Sequence, residues 1–327
     1  MIHYNPLSYL RRKTMKVIKP KINESLSLLK AQLNENSLNK KFANGELPLR
    51  AELFSADQME QHGKILASTH TLISESQSNQ KLLKRLAENE EFLFEVHDLL
   101  TDTVKAKRAI TPAGEWLLDN FYLIEEQIRT GKKHLPKNYS RELPRLLNGA
   151  SKGLPRVYDI AQEIISHGDG RVDPENLNRF VTAYQTITTL KIGELWAIPI
   201  MLRLALIENL RRVAVRVAAG RIERNLADSW ADKMIEIVEK DPKSLILVVA
   251  DMARSDPPMT TPFVSEFTRR LQSLSYILAS PLTWIEQRLS DTGQTIENLI
   301  QIGNQQQAAD QVSISNSIGS LRFLESI

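Results

Sequence analysis

The run LKIGELWAIPIMLRLALIENLRRVAVRV, residues 190–217, decides how this chain is read. It is the most apolar long run in the sequence, and it leads into an arginine-rich amphipathic stretch. Leu206, Leu210, Val213 and Val217 recur at steps of four, three and four, which places them on one face of an α-helix. Arg212 and Arg216 lie together on another face. The most apolar part, residues 195–207, is broken by Arg203 and contains Pro199. A membrane-crossing helix needs about 18 or more apolar residues with few or no charges. No window reaches that length, so the run reads as a buried core helix. Gly193 and Pro199 are expected to interrupt it. Beyond Pro199 the helix is expected to continue to Lys240.

Working outward, one kind of punctuation recurs. Thr111-Pro112, Asp173-Pro174, Asp241-Pro242, Thr261-Pro262 and Ser280-Pro281 each read as an N-cap followed by proline at the first helical position. Ser55 carries a capping signal and opens a helix expected to reach about Ser76. Further helices are expected over 22–38, 79–103, 112–130 (closed by Gly131 as a left-handed cap), 143–147, 156–166 and 174–190. Two more follow, over 295–307 and 316–327. Residues 245–250 have the length and β-branching of a buried strand, but their Asp-Pro start favours a helix. Nothing supplies the alternating runs that a sheet needs. The expected class is all-α, a multi-helix bundle or irregular helical array with no substantial sheet. Residues 1–50 form a basic N-terminal segment. Residues 51–327 form the helical region, expected as two sub-bundles divided near 131–155.

Composition agrees with that class. The chain has 327 residues, 42% hydrophobic, 25% charged and only 6% aromatic. Its net charge of +3 is too small to imply nucleic acid. The distribution says more. No acidic residue precedes Glu24, while Arg11, Arg12, Lys13, Lys16 and Lys19 all do. Such a segment suits the surface of an anionic membrane, or a solvated chain end. With no cysteine, disulfides and cysteine-held metals are excluded. No apolar core follows the basic residues, so no signal peptide is expected.

Few residues assemble a chemical motif. Glu115 and Asp119 share a helix face, but a carboxylate metal helix usually needs Glu-x-x-His, and no histidine is within reach. They read as surface acids, and Trp116, Leu117, Phe121, Leu123 and Ile124 as core. The turn HGDGRVD, residues 167–173, resembles the middle of a calcium loop. Ile165, His167 and Asn176 then stand where acidic ligands belong, so calcium is rejected in favour of a tight turn with left-handed glycines. His3, His62, His70, His97, His134 and His167 are scattered with no HExxH spacing, so no metal ligand is assigned. No phosphate-binding glycine loop, GxSxG elbow or Asp-x-Asp pair occurs. No catalytic, cofactor-binding or metal residue is therefore assigned. Arg211, Arg212, Arg216, Arg221 and Arg224, with Arg203, make the densest basic cluster in mid-chain. They are the candidate interaction surface for phosphate, lipid headgroups or an acidic partner. The favoured reading is an internal ion-pair network with Glu194, Glu208, Glu223 and Asp228. The spacings Glu208–Arg211 and Glu208–Arg212 suit a helix.

The segment GELWAIPIMLRLALIENLRRVA, residues 193–214, resembles the N-terminal region of bacterial cyclic β-1,2-glucan synthases. Five other segments agree in order: GEWLLDNFYLIEEQIR (114–129), YSRELPRL (139–146), PRVYDIA (155–161), HGDGRVD (167–173) and ISNSIGSLRFL (314–324). The resemblance spans about residues 67–327. It implies a large inner-membrane enzyme with this helical region on the cytoplasmic face. Membrane spans and a transferase using UDP-glucose with a divalent metal would follow downstream. No family catalytic motif falls on these residues, so no catalytic role transfers. The expected partners are downstream domains of the same polypeptide and an anionic membrane surface. The apolar ending LRFLESI also suggests a fragment whose parent continues. The alternatives are an independent helical interaction or adaptor protein, or a fragment that itself binds a glucan or a nucleotide.

Overall fold

The computed structural model describes residues 46–73, 81–135, 143–272 and 279–325, all within one unit, residues 46–327. The basic residues Arg11, Arg12, Lys13, Lys16 and Lys19, His3, and the helical pattern over 22–38 lie outside the described residues. Eleven α-helices occur among the described residues: α1 Ala56–Thr69, α2 Lys81–Lys105, α3 Pro112–Asp119, α4 Phe121–His134, α5 Arg156–His167, α6 Pro174–Gln185, α7 Ile192–Lys240, α8 Leu245–Ser255, α9 Thr261–Leu271, α10 Ala279–Ser290 and α11 Ile296–Glu325. A single 3₁₀ turn, Pro242–Ser244, precedes α8. No strand occurs among the described residues, only the isolated bridges Leu72–Leu146 and Arg145–Pro155. The chain is all-α, as its periodicity implies. None of these helices is long and apolar enough to cross a membrane.

The 49-residue α7 organises the rest. At 1.5 Å per residue it is about 73 Å long. Helices α2, α4, α5, α9 and α11 all pack on it. Its centre is buried on every side: Leu206, Leu210 and Val213 are fully covered, and so are Met201, Leu202, Ala205 and Ile207 between them. An all-round apolar helix requires this, and each such large side chain contributes about 1.5–3 kcal/mol on burial. Further along α7, Ala227, Ala231 and Met234 meet Phe263 and Phe267 of α9 and Ile285 and Leu289 of α10.

The caps behave as their residue types dictate. Ser55 Oγ accepts from the Gln58 amide at 3.3 Å, and Gln58 Oε1 accepts from the Ser55 amide at 2.8 Å, a complete capping box. Thr111 and Asp173 cap α3 and α6 with proline at the next position. Residues 245–250 lie in a helix, as the Asp-Pro start indicates.

Several expected boundaries move. Helix α1 stops at Thr69, short of Ser76, because Thr71 and Ile73 pair through backbone hydrogen bonds with Leu147 and Arg145. The expected 143–147 helix is instead this bridged, extended segment. The 112–130 helix breaks at Asn120, and Gly131 sits inside α4, where a Cβ would press on Leu86 at 3.3 Å. Its role is close packing, not capping. Helix α6 ends at Gln185, before Leu190. Pro199 and Gly193 do not interrupt α7. Pro199 removes one amide donor, but packing along the buried flank holds the helix through it. Thr260, not Thr261, caps α9, and Ser280 lies inside α10. The two expected terminal helices are one, α11, of 30 residues. Trp116 is 40% exposed and is not core.

Candidate functional site

The arginine-bearing middle of α7 is where charge concentrates. Glu208 is fully buried and is surrounded by three guanidiniums. Arg85, from α2, donates from Nε to Oε2 at 2.9 Å and from Nη2 to Oε1 at 2.7 Å. Arg211 and Arg212, one helical turn on, donate to Oε1 at 3.0 and 2.8 Å. Asn89 adds an amide bond to Oε2 at 2.9 Å. Burial alone would raise the Glu208 carboxyl. The Arg85 hydrogen bonds and the charges of Arg85, Arg211 and Arg212 outweigh it and hold the group well below the usual carboxylate range. Glu46 closes the outer side against Arg85, Arg211 and Arg212. A cavity of about 460 Å³ opens here, lined by Lys84, Arg85 and Lys152 among others. Its cations draw anionic groups, and Glu46, Glu88 and Glu208 offset most of that attraction.

Further along α7 the other arginines separate. Arg216 pairs with Asp310 of α11. Arg221 donates to Asp228 at 3.0 Å, to Asn225 at 3.1 Å and to the Ala109 carbonyl at 2.7 Å. Asp228 also takes Arg270 at 3.2 Å. Arg224 has no hydrogen-bond or ion-pair partner among the described residues. It lies between two neighbouring cavities of about 500 and 430 Å³ that share Thr111, Ser265 and Gln307. Burial, reinforced by Arg221, lowers its pKa. Arg203 is buried, donating to Gln127 at 2.7 Å and to the Leu324 carbonyl at 3.0 Å. That carbonyl lies in the last turn of α11, where a cation offsets the helix dipole.

The expected network thus forms in part. Glu208 and Asp228 take their expected arginines. Glu194 instead pairs with Arg156 of α5, at 2.6 and 2.7 Å, both groups buried. Glu223 accepts from Thr260 at 2.7 Å, and burial raises its pKa. Arg85, Asn89, Arg156, Asp310 and Arg270 were missed by sequence reasoning. They lie 38 to 123 positions from their partners, and no local spacing signals them. Arg211, Arg212, Arg216 and Arg221 are therefore committed internally, and Arg224 alone of the five lacks a carboxylate. Glu115 and Asp119 are exposed, as expected.

The turn at residues 167–170 docks on α11. Its left-handed residues are Asp169 and Gly170, with φ of 48° and 80°; Gly168 is not one of them. Asn316 donates to the Asp169 carbonyl at 3.1 Å, and Ser320 to the Gly170 carbonyl at 2.9 Å. The same turn brings His167 toward His62. The histidines are scattered in sequence but not all scattered in space.

No family profile matches the chain. One curated relative is the cyclic beta-(1,2)-glucan synthase NdvB of Rhizobium meliloti (strain 1021), 32% identical over 277 residues. The match covers 85% of this chain but spans only 10% of that relative's length. The segments that carry the resemblance also meet in space, at Arg203, Gln127 and Leu324 and at Gly170 and Ser320. Over most of its length the chain is thus similar to a region of the cyclic β-1,2-glucan synthases.

Proposed function

We propose that this chain is the helical, non-catalytic N-terminal region of a cyclic β-1,2-glucan synthase, acting as a scaffold for its membrane and transferase domains. The observation that carries the reading is the coverage: 85% of this chain aligned, against 10% of the relative. The transferase chemistry, with UDP-glucose and its divalent metal, then belongs to the remaining chain. The region sits at the cytoplasmic face of the inner membrane, with Arg11, Arg12, Lys13, Lys16 and Lys19 against anionic lipid.

The surface supports a contact role. Ile192 and Trp196, one turn apart at the start of α7, are 70% and 78% exposed. A tryptophan and an isoleucine side by side on one helix face are costly to leave in water and suit a partner surface. The proposed partner is the rest of the same polypeptide. The test compares three proteins given labelled UDP-glucose with Mg²⁺ or Mn²⁺: this chain, the full synthase, and the synthase lacking this region. Glucan is expected from the full synthase alone. Glucan made by the isolated chain, or full activity without the region, overturns the reading.

A further inference from the structure

We propose that His62, Glu163 and His167 bind a divalent transition-metal ion of the zinc class, which pins α1 and the segment before it to α5. Glu163 and His167 are one turn apart on α5, and His62 comes from α1, 101 positions from Glu163. Glu163 Oε2 lies 2.8 Å from His62 Nε2 and 3.4 Å from His167 Nε2. All three ligand atoms fall within 4.8 Å of one another. Tetrahedral zinc with bonds near 2.0–2.1 Å sets its ligand atoms about 3.3 Å apart. The three side chains reach that spacing with small side-chain shifts.

The hydrogen bonds fix the chemistry further. His167 Nδ1 lies 2.7 Å from the Glu52 carbonyl oxygen. A carbonyl only accepts, so Nδ1 carries the proton. With the proton on Nδ1 alone, the Nε2 lone pair would face a carboxylate oxygen, a gap that a metal ion bridges and that a second proton on Nε2 would otherwise fill. A backbone carbonyl on the far nitrogen is also how metal-ligating histidines are oriented. Phe54 stacks on His167, with ring centroids 3.7 Å apart, and meets the edge of His62 at 5.4 Å. This apolar wall lowers the local dielectric on one side and strengthens an ion's attraction for Glu163. The His62 and Glu163 side chains are 21% and 32% exposed. That open side leaves room for water as a fourth ligand. Two neutral imidazoles and one carboxylate suit zinc, cobalt or nickel better than magnesium or calcium.

The ion's role is a clamp. The segment before α1 already pairs with the end of α5, through the Ala51 amide to the Ser166 carbonyl at 3.1 Å and the Phe54 amide to the His167 carbonyl at 3.2 Å. A metal would add a third link at the same junction. The experiment uses the untagged full chain, stripped with chelator. Zn²⁺ or Co²⁺ is titrated by calorimetry, and bound metal is counted by mass spectrometry. One ion per chain, a raised Tm and an intense tetrahedral Co²⁺ spectrum are expected. Glu163→Gln keeps the size and a hydrogen bond but removes the charge. It, and His167→Ala, should weaken binding by more than the roughly 10–100-fold that outer partners of metal ligands supply. His97→Ala, at a histidine whose ring rests on Phe121, should bind normally. X-ray absorption on the Zn²⁺-loaded wild-type chain should show two imidazole nitrogens and needs no variant to fold. No stoichiometric binding, an all-oxygen shell, or binding unchanged in both variants overturns the proposal.

Discussion

Arg85 and Glu208, 123 positions apart, are joined by two hydrogen bonds of 2.9 and 2.7 Å through one guanidinium and one fully buried carboxylate. The pair ties α2 to the centre of α7. It also satisfies a carboxylate at the fully buried centre of α7.

Glu208→Gln is expected to be the most destabilising single change in this network. It leaves Arg211 and Arg212 facing no carboxylate but the half-exposed Glu46. Breaking a buried ion pair by removing one partner costs about 3–5 kcal/mol. Arg85→Gln should cost less, because Arg211 and Arg212 still compensate Glu208 and the Arg85 side chain is 31% exposed. Urea titrations of both variants check the order. Equal or reversed losses would mean that Arg85, not the trio, holds the carboxylate.

The same group sets a pH dependence. The folded Glu208 carboxyl lies well below its ordinary 4.5. Its unfolded form therefore binds the proton first as pH falls. The stability it contributes is present above about pH 4.5 and is lost as pH falls below it. Glu223 has the opposite sign. Burial raises its folded value above 4.5, so its contribution is present at low pH and lost as pH rises through the raised value. Stability measured from pH 3 to 6 should rise less steeply in Glu208→Gln. In Glu223→Gln it should rise more steeply. No change of slope in either variant would remove these assignments.

Much of the fold was legible in the sequence, for physical reasons. The caps at Ser55, Thr111 and Asp173 are local hydrogen bonds between residues three apart, and spacing reveals them directly. The steps from Leu206 to Val217 likewise report a helix face. Pro199 misled because a local donor loss was outweighed by burial along α7, a tertiary effect. Gly131 misled because its lack of a side chain serves Leu86 of α2 and not a cap. The charge network was half legible. Glu208 to Arg211 and Arg212 is a helical spacing, whereas Arg85, Arg156 and Asp310 reach their partners across the fold. The His62–Glu163–His167 cluster was hidden in the same way, with only Glu163 and His167 neighbouring on one helix.

Gly170→Ala tests the docking of the 167–170 turn on α11. An added Cβ would sit 2.4 Å from Ser317 Oγ and 3.1 Å from the Ser313 carbonyl, at φ of 80°. The left-handed backbone alone costs about 1–3 kcal/mol for a side-chain-bearing residue, and the clash adds to it. Gly149→Ala separates the two contributions, since Gly149 has φ of 78° and nothing within 4 Å of a new Cβ. Gly170→Ala should lose more stability than Gly149→Ala in the same urea titration. Equal losses would mean that the turn lifts off α11 at little cost.

Trp196→Ser separates stability from contact. The side chain is 78% exposed, so its removal should change folding free energy by no more than about 0.5 kcal/mol. If Ile192 and Trp196 meet the rest of the synthase, the same change should weaken assembly. The measurement is co-purification of this chain with the remaining synthase expressed as a separate polypeptide, alongside a urea titration of each variant. Trp196→Ser should keep its midpoint and recover less partner. Ile246→Ser is the control, because Ile246 is 64% exposed on α8, more than thirty residues beyond the patch in sequence. It should leave recovery unchanged. A normal yield with Trp196→Ser would move the contact surface elsewhere. A lowered urea midpoint would make Trp196 a packing residue, and its exposed face would then carry no partner.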